Sequence, residues 1–195
     1  MIYFFKRHIL PGEVKTSVRI RNYRQGDILT LVQIQQLAAQ FDNIEVISAA
    51  DFEQWLAQPE LEAESNVFLI TDDDDELNSW GQGDTLDGLE GEVVGYTVLQ
   101  LRRSQRAYHF LCEGAVLPQR RRQGAGQALL ICALNHARMR ASEFEFEAQQ
   151  QGFPIYFEAL LPVGDPTSES LAEKCGMQST DEPALRRMRL YRSEL

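Results

Sequence analysis

Residues 116–126, Val-Leu-Pro-Gln-Arg-Arg-Arg-Gln-Gly-Ala-Gly, constrain this chain more than any other stretch. An apolar run that reads as a buried strand, Tyr108 to Cys112, precedes them, and an apolar helix, Gln127 to Arg140, follows. A glycine-spaced turn between strand and helix gathers several backbone N–H groups at one point. The free amides of the first helical turn and the positive end of the helix dipole make such a point an anion site. Arg120, Arg121 and Arg122 add positive charge beside it. The pattern points to a phosphate-bearing ligand.

The surrounding composition narrows the ligand class. Net charge is -10, which disfavours general nucleic-acid binding, because an acidic surface repels a phosphodiester backbone. A local anion site suits three arginines on an acidic background better than a broad polyanion surface does. No apolar run approaches the roughly 20 residues that cross a bilayer, so no membrane role is expected. At the N-terminus only Ile2 to Phe5 is apolar, too short for a secretory h-region of about 7–15 residues. The three cysteines, Cys112, Cys132 and Cys175, lack metal-ligand spacing and read as free thiols, two of them buried. That fits a cytoplasmic protein. No metal is expected.

The length suits one domain over 1–195, with an N-terminal arm at 1–16. Ser17 to Tyr23 alternates like a half-buried strand. Asp27 is placed to cap a helix from Ile28 to Phe41. A second short helix is expected from Ala50 to Ala57, closed by Pro59, and Val67 to Thr71 reads as a short buried strand. Residues 72–91 contain four consecutive aspartates and little apolar content, and read as an exposed acidic loop insertion. The ligand spacing of a calcium loop is missing there.

Glu92 to Leu101 and Ala107 to Val116 are expected to form an antiparallel pair, with Gly114 marking a bulge. Ala141 to Gly152 alternates in part like a strand, but its helix formers favour a helical extension or an extra short helix. Phe153 to Val163 is a strand. Asp165 is placed to cap a short helix, Thr167 to Cys175, that stops at Gly176, and Leu185 to Arg192 is the last strand. The order β-α-α-β-β-β-α-β-α-β describes a mixed α/β (α+β) chain with one central crossover helix and no internal repeats. Two other phosphate-binding folds do not match. The Gly-Lys-Ser/Thr ending of a P-loop is absent, and so is an early strand followed by Gly-x-Gly-x-x-Gly.

With these residues in place, the chain resembles the GNAT superfamily of N-acetyltransferases. Arg121-Arg122-Gln123-Gly124-Ala125-Gly126 matches the superfamily signature of Arg or Gln, two residues, Gly, one residue, then Gly or Ala. Val116-Leu117-Pro118 matches its strand-end pattern, Glu92 to Tyr96 its preceding strand, and Asp165 to Met177 its closing helix. The resemblance covers Ser17 to Arg192. It implies a mainly antiparallel, twisted sheet of six or seven strands with about four helices, splayed between the fourth and fifth strands of the order above. It implies acetyl-CoA as co-substrate, no metal, and direct transfer to an amine on a small molecule or peptide through a ternary complex. A homodimer is a common state of the fold.

The resemblance also assigns residues. Gly124, Ala125, Gly126 and Gln127 would present amides to the pyrophosphate, with glycines where a Cβ would block close approach. Arg121 and Arg122 would neutralise phosphate charge or remain solvated. Ala115, Val116 and Leu117 would pair with the pantetheine amides like an added strand, opposite a strand ending near Leu160 and Leu161. Asp165 stands where the family commonly has Asn. Ala172 falls where a Tyr usually protonates the departing thiolate, so the usual general acid is missing. Glu113 is the candidate base, and His109, Tyr156 and Tyr108 are further proton-transfer candidates. Ser168 and Ser170 are candidates for hydrogen bonds to CoA, with capping the alternative for Ser168. The competing reading is a non-catalytic acyl-CoA-binding or partner-binding module on the same fold.

Overall fold

The computed structural model describes residues 3–4, 17–73, 91–182 and 187–195. The strands are β1 (Tyr3–Phe4), β2 (Ser17–Asn22), β3 (Val67–Asp73), β4 (Glu92–Arg103), β5 (Tyr108–Val116), β6 (Ile155–Pro162), β7 (Gln178–Ser179) and β8 (Met188–Glu194). The helices are α1 (Ile28–Asp42), α2 (Ala49–Leu56), α3 (Ala63–Asn66), α4 (Ala125–Ala141), α5 (Glu145–Gln151) and α6 (Ser168–Lys174). All eight strands join one sheet in the order β1-β2-β3-β4-β5-β6-β8-β7. Every pair is antiparallel except β5 with β6, which α4 and α5 connect as a crossover. Beyond the elements expected, β1, β7 and α3 are four residues or shorter, and α5 is the extra short helix expected within Ala141 to Gly152.

Apolar residues fill both faces of the sheet, as a doubly covered sheet requires. On one face Val67, Leu69, Tyr96 and Val98 pack against Leu31 and Ile34 of α1 and Phe52 and Leu56 of α2. On the other, Leu99, Phe110, Cys112, Phe157 and Ala159 pack against Leu130, Ala133, Leu134 and Ala137 of α4 and Ala172 of α6. Ile20, Phe68, Ile70 and Val94 extend that layer to Ala125, Leu129 and Cys132. Burial of one such side chain contributes about 1.5–3 kcal/mol. Four alanines on the buried side of α4 bring its axis close to the strands. Arg138 and Arg140 in the last turn of α4 complement its dipole.

Several local expectations are corrected. Asp27 directly precedes α1 but does not cap it. Its carboxylate turns back to accept from the Arg24 N–H (2.8 Å) and from both Nη atoms of Arg21 (2.7 Å each). Asp165 likewise does not cap α6; two residues ahead of the Thr167 N-cap, it accepts from the N–H and hydroxyl of Thr167 (2.9 and 2.7 Å) in a turn leading into the helix. The β4–β5 register is unbroken through Gly114, so no bulge lies there. The slip lies between β3 and β4, where Ile70 faces Gly95 and Thr71 faces Val93, and Val94 turns into the α4-side core.

Gly114 is required for a different reason: a Cβ there would lie 2.4 Å from the Tyr96 carbonyl oxygen and 2.9 Å from Thr97 Cα. Asp72, expected in the acidic loop, is instead a buried residue of β3. Residues 74–90 of that loop, residues 5–16 of the N-terminal arm and Leu185–Arg186 of the last expected strand lie outside the described residues.

Candidate functional site

Two features of the backbone build a cleft. The first is the turn into α4. Leu117 is anchored by its N–H to the Val94 carbonyl (2.9 Å), and a single 3-10 turn, Pro118–Arg120, follows. Arg122 (φ 63°) and Gly124 (φ 93°) then both adopt left-handed backbone, which bends the main chain back on itself. The left-handed region is open to glycine without steric cost, and nothing lies within 4 Å of where a Gly124 Cβ would stand. Ala128 is the first helical residue whose N–H meets a carbonyl, that of Gly124 (3.0 Å). Among the described residues the N–H groups of Gly124, Ala125, Gly126 and Gln127 meet no acceptor, so they form an open anion cradle at a helix start.

The second feature is a parting of strands. The parallel ladder of β5 with β6 runs from Tyr108–Ile155 to Cys112–Ala159 and stops. β5 continues to Val116 and β6 to Pro162 without pairing each other. The expected splay is therefore present, between the strands that bear Val116 and Leu160–Leu161. An unpaired strand edge beside an anion cradle suits an extended, amide-containing ligand with phosphate at one end. Val116 borders the opening on the α4 side, where a Gly126 Cβ would touch it and Leu171 of α6 at ordinary distances of 4.0 and 3.9 Å. Ala115 belongs to the α1-side layer.

The three arginines divide between structure and site. Arg120 reaches buried Asp72 (2.7 Å) and Glu92 (3.1 Å), tying the turn to the ends of β3 and β4. The Arg121 guanidinium forms a two-pronged pair with Asp42 (2.6 and 2.7 Å), donates from Nε to the Val116 carbonyl (3.2 Å), and stacks over Phe41. The Asp42 hydrogen bonds hold it firmly protonated. Asp165 lies 3.8 Å from the same guanidinium. Burial works to raise the Asp165 carboxyl, but its Thr167 hydrogen bonds and the charges of Arg121 and Arg122 prevail and lower it. Arg122 is exposed. Two of the three arginines thus brace the cradle against β3, β4, α1 and α6.

The α1 side of the opening carries the titratable groups. Register places Tyr96, Val98, Gln100 and Arg102 of β4 beside Ala115, Glu113, Leu111 and His109 of β5. Tyr156 and Glu158 of β6 follow, then Glu194 and Arg192 of β8. Glu113 is half-buried at the mouth, and its charge adds to burial in raising the Tyr96 phenol. Glu158 is 6% exposed, and its Oε1 accepts from His109 Nδ1 (3.0 Å) and Arg192 Nε (2.7 Å). Arg192 also lies over Tyr156 and meets Glu182 (3.0 Å). Glu158, Arg192, Asp42 and Asp72 had no sequence signal, because their partners are distant in the chain.

Other candidates fall away from this face. Tyr108 packs on the α4 side against Phe144. Ser168 donates to the Pro162 carbonyl (2.8 Å), fastening α6 to the end of β6. Ala172 is fully buried in the α4-side core. Cys112 and Cys132 are buried thiols, pushed by burial up to about 12 and about 11. Among the described residues no group of His, Cys, Asp or Glu is arranged to hold a metal ion. No described helix is long and apolar enough to cross a membrane.

Comparison with known proteins bears on the family and the fold. The family model described as Acetyltransferase (GNAT) family matches residues 42–153. Among solved structures, a GCN5-related N-acetyltransferase from Sphaerobacter thermophilus superposes with a TM-score of 0.62 at 16% identity. That match covers 85% of this chain but 48% of the other, so the chain spans about half of that protein. The putative acetyltransferase yncA of Salmonella typhimurium, solved with acetyl-CoA, gives a TM-score of 0.58 at 16% identity, covering 91% and 92% of the two chains. A ribosomal-protein-alanine N-acetyltransferase from Brucella melitensis gives 0.54 at 16% identity, covering 90% and 99%. Among curated proteins none matches this chain in sequence.

Proposed function

The chain belongs to the acetyltransferase (GNAT) family, and from that membership we propose that it transfers an acetyl group from acetyl-CoA to a primary amine in a ternary complex. The observation that carries this reading is the parting of β5 and β6 after Cys112–Ala159, next to the open amides of Gly124 to Gln127. The fit is specific. Phosphate needs a concave set of N–H donors, which the α4 start supplies, with exposed Arg122 adding charge. The amide-bearing arm of the coenzyme needs an unpaired strand edge, which Ala115 to Leu117 supply. The thioester end would then emerge on the α1 side, at Glu113. There a carboxylate attracts the acceptor ammonium and is placed to take its proton.

In this reading Arg121 does not contact phosphate but holds the cradle through Asp42, and Asp165 supports the same brace from the start of α6. Such preorganisation lowers the ordering cost of binding. Free, buried thiols at Cys112 and Cys132 suit a reducing compartment such as the cytoplasm. The acceptor is a small molecule or a peptide amine.

Titration calorimetry with acetyl-CoA tests the proposal. Binding in the micromolar range, released by competition with CoA, is expected. Absence of heat at millimolar ligand counts decisively against the reading. Ala172, buried where the family usually places a tyrosine, favours a second reading, a module that binds acyl-CoA without turning it over. Amide formation with any primary amine rejects that alternative.

A further inference from the structure

The face that α1 turns to the sheet is apolar or small except at Gln35 and Asp42. Asp42 is matched by the Arg121 guanidinium. Gln35 is 9% exposed, and its Oε1 meets no hydrogen-bond donor among the described residues. A carbonyl taken out of water without a donor costs free energy, so buried polar groups are nearly always paired. The helix period places this one. Seven residues are close to two full turns, so Gln35 and Asp42 share one stripe, roughly 10 Å apart. Asp42 sits at the end of β5, where Arg121 also meets the Val116 carbonyl. Roughly 10 Å back along β5 is Glu113. Leu31, one turn before Gln35, and Ile34 beside it pack with Tyr96 and Val98, the β4 residues that pair with Ala115 and Glu113. The Gln35 amide therefore lies over the β4–β5 pair at the level of Glu113. Only Ala38 and Ala39 stand on the stripe between Gln35 and Asp42. The terminal torsion of a glutamine is broad, so Oε1 can turn toward the opening while the helix stays in place.

Resting on the acetyltransferase reading, we infer that Gln35 binds the acceptor nitrogen and selects primary amines. The mouth then offers one nitrogen two different hydrogen-bond acceptors: the Glu113 carboxyl group, whose charge attracts the ammonium, and the Gln35 carbonyl. A primary amine keeps two N–H bonds once it is neutral, one for each oxygen. Holding both leaves its lone pair free for the thioester. An N-methyl amine offers a single N–H, so one of the two oxygens is left facing a methyl group. A site that hydrogen-bonds an N–H discriminates strongly against the analogue that lacks it, because a buried polar group is then left without a partner. An alcohol likewise brings only one donor. The unpaired carbonyl of the free protein is stability given up for recognition.

The test uses the full chain and two apolar changes, Gln35→Met and Gln35→Leu. Acceptors are glycinamide, putrescine and a short peptide with a free N-terminus, each beside its N-methyl counterpart. Acetyl-CoA binding, read by calorimetry, is expected to persist in both variants, because the cradle is untouched. KM for the primary amine rises roughly 10–100-fold, the range for one hydrogen bond to a charged group. The preference for primary over N-methyl amine shrinks by a similar factor. The Tm of the ligand-free protein rises by roughly 2–4 °C, because the unpaired carbonyl is gone. A purely structural glutamine would give the opposite, a lower Tm with KM and selectivity unchanged. That result overturns the inference and leaves the acetyltransferase reading standing. So does wild-type protein that turns over N-methyl amines as readily as primary ones. In wild-type protein saturated with CoA, adding the amine that is turned over shifts the NMR signals of the Gln35 side-chain amide. Unmoved signals overturn the inference whether or not the variants fold. Wild-type protein that fails to bind acetyl-CoA overturns the acetyltransferase reading and the inference with it. Binding with no turnover of any of the three primary amines overturns the inference and favours the non-catalytic module.

Discussion

The two sides of the cleft are made of different material. On the α4 side the anion cradle consists of main-chain amides within one short stretch, Gly124 to Gln127, shaped by left-handed backbone at Arg122 and Gly124. On the α1 side the polar groups beside the opening are side chains from three strands, Glu113 and His109 on β5, Glu158 on β6 and Arg192 on β8. A backbone site tolerates most changes of side chain but no change of turn. A side-chain site tolerates changes of turn but depends on strand register. Mutations on the first side should therefore affect donor binding. Those on the second should affect turnover while leaving donor binding intact.

The largest effect expected is that of Gly124→Glu. It places a Cβ on left-handed backbone and a negative charge beside the cradle. Acetyl-CoA affinity should fall at least ~100-fold, about 3 kcal/mol, as read by calorimetry. If Gly124→Glu binds normally, the cradle is not the phosphate site and the contrast between the two sides is lost.

Gly114→Val comes next and tests the boundary between the sides, because Gly114 lies between them. Its Cβ would press on the Tyr96 carbonyl at 2.4 Å, so the β4–β5 pair must shift. Denaturant unfolding should show a loss of about 1–3 kcal/mol, the usual cost of overpacking.

Arg121→Ala sharpens the division of the arginines. The pair with Asp42 is mostly shielded, at 17% and 7% exposure of the two side chains. Its loss should lie between the surface and buried limits, about 1–2 kcal/mol. Arg121→Lys should recover only part of this, because a lysine lacks the two-pronged geometry. If Arg121 served mainly as a phosphate ligand, stability would hardly change and affinity would drop.

The smallest effect concerns Asp27, remote from both sides, as a control. Burial works to raise its carboxyl, but hydrogen bonds from Arg21 and the Arg24 N–H, together with the arginine charges, prevail and lower it. A folded-state carboxyl lowered below its unfolded value stabilises the protein above the unfolded value. That contribution is lost as pH falls through the folded one. Asp27→Asn should therefore remove less than about 1 kcal/mol near neutral pH and flatten the loss of stability on acidification below pH ~4. Donor binding and turnover should be unaffected.

Much of the donor side was legible from the sequence. The Val-x-Pro strand end, the glycine spacing and the apolar run of α4 are local patterns, and each sets backbone geometry within a few residues. The short helix at Glu145–Gln151 is only half legible in the sequence because Glu143 to Glu147 alternates like a strand. Helix formation and the packing of Ala148 into the core decided it. The cap expected of Asp27 failed because Arg21, on the neighbouring strand, offers a stronger two-pronged partner than a helix amide does. The bulge expected at Gly114 failed because a glycine permits close approach as readily as a bend, and the choice lies with the partner strand.

By itself the sequence determined the strand–turn–helix that makes an anion cradle, because turn residues and hydrophobic period act over a handful of positions. Only the tertiary structure decided which arginines are spent on bracing and which carboxylate holds His109. Arg121 meets Asp42 across 79 positions of sequence, and His109 meets Glu158 across 49. Such meetings depend on strand register, and shifting a strand by one residue turns every side chain to the opposite face.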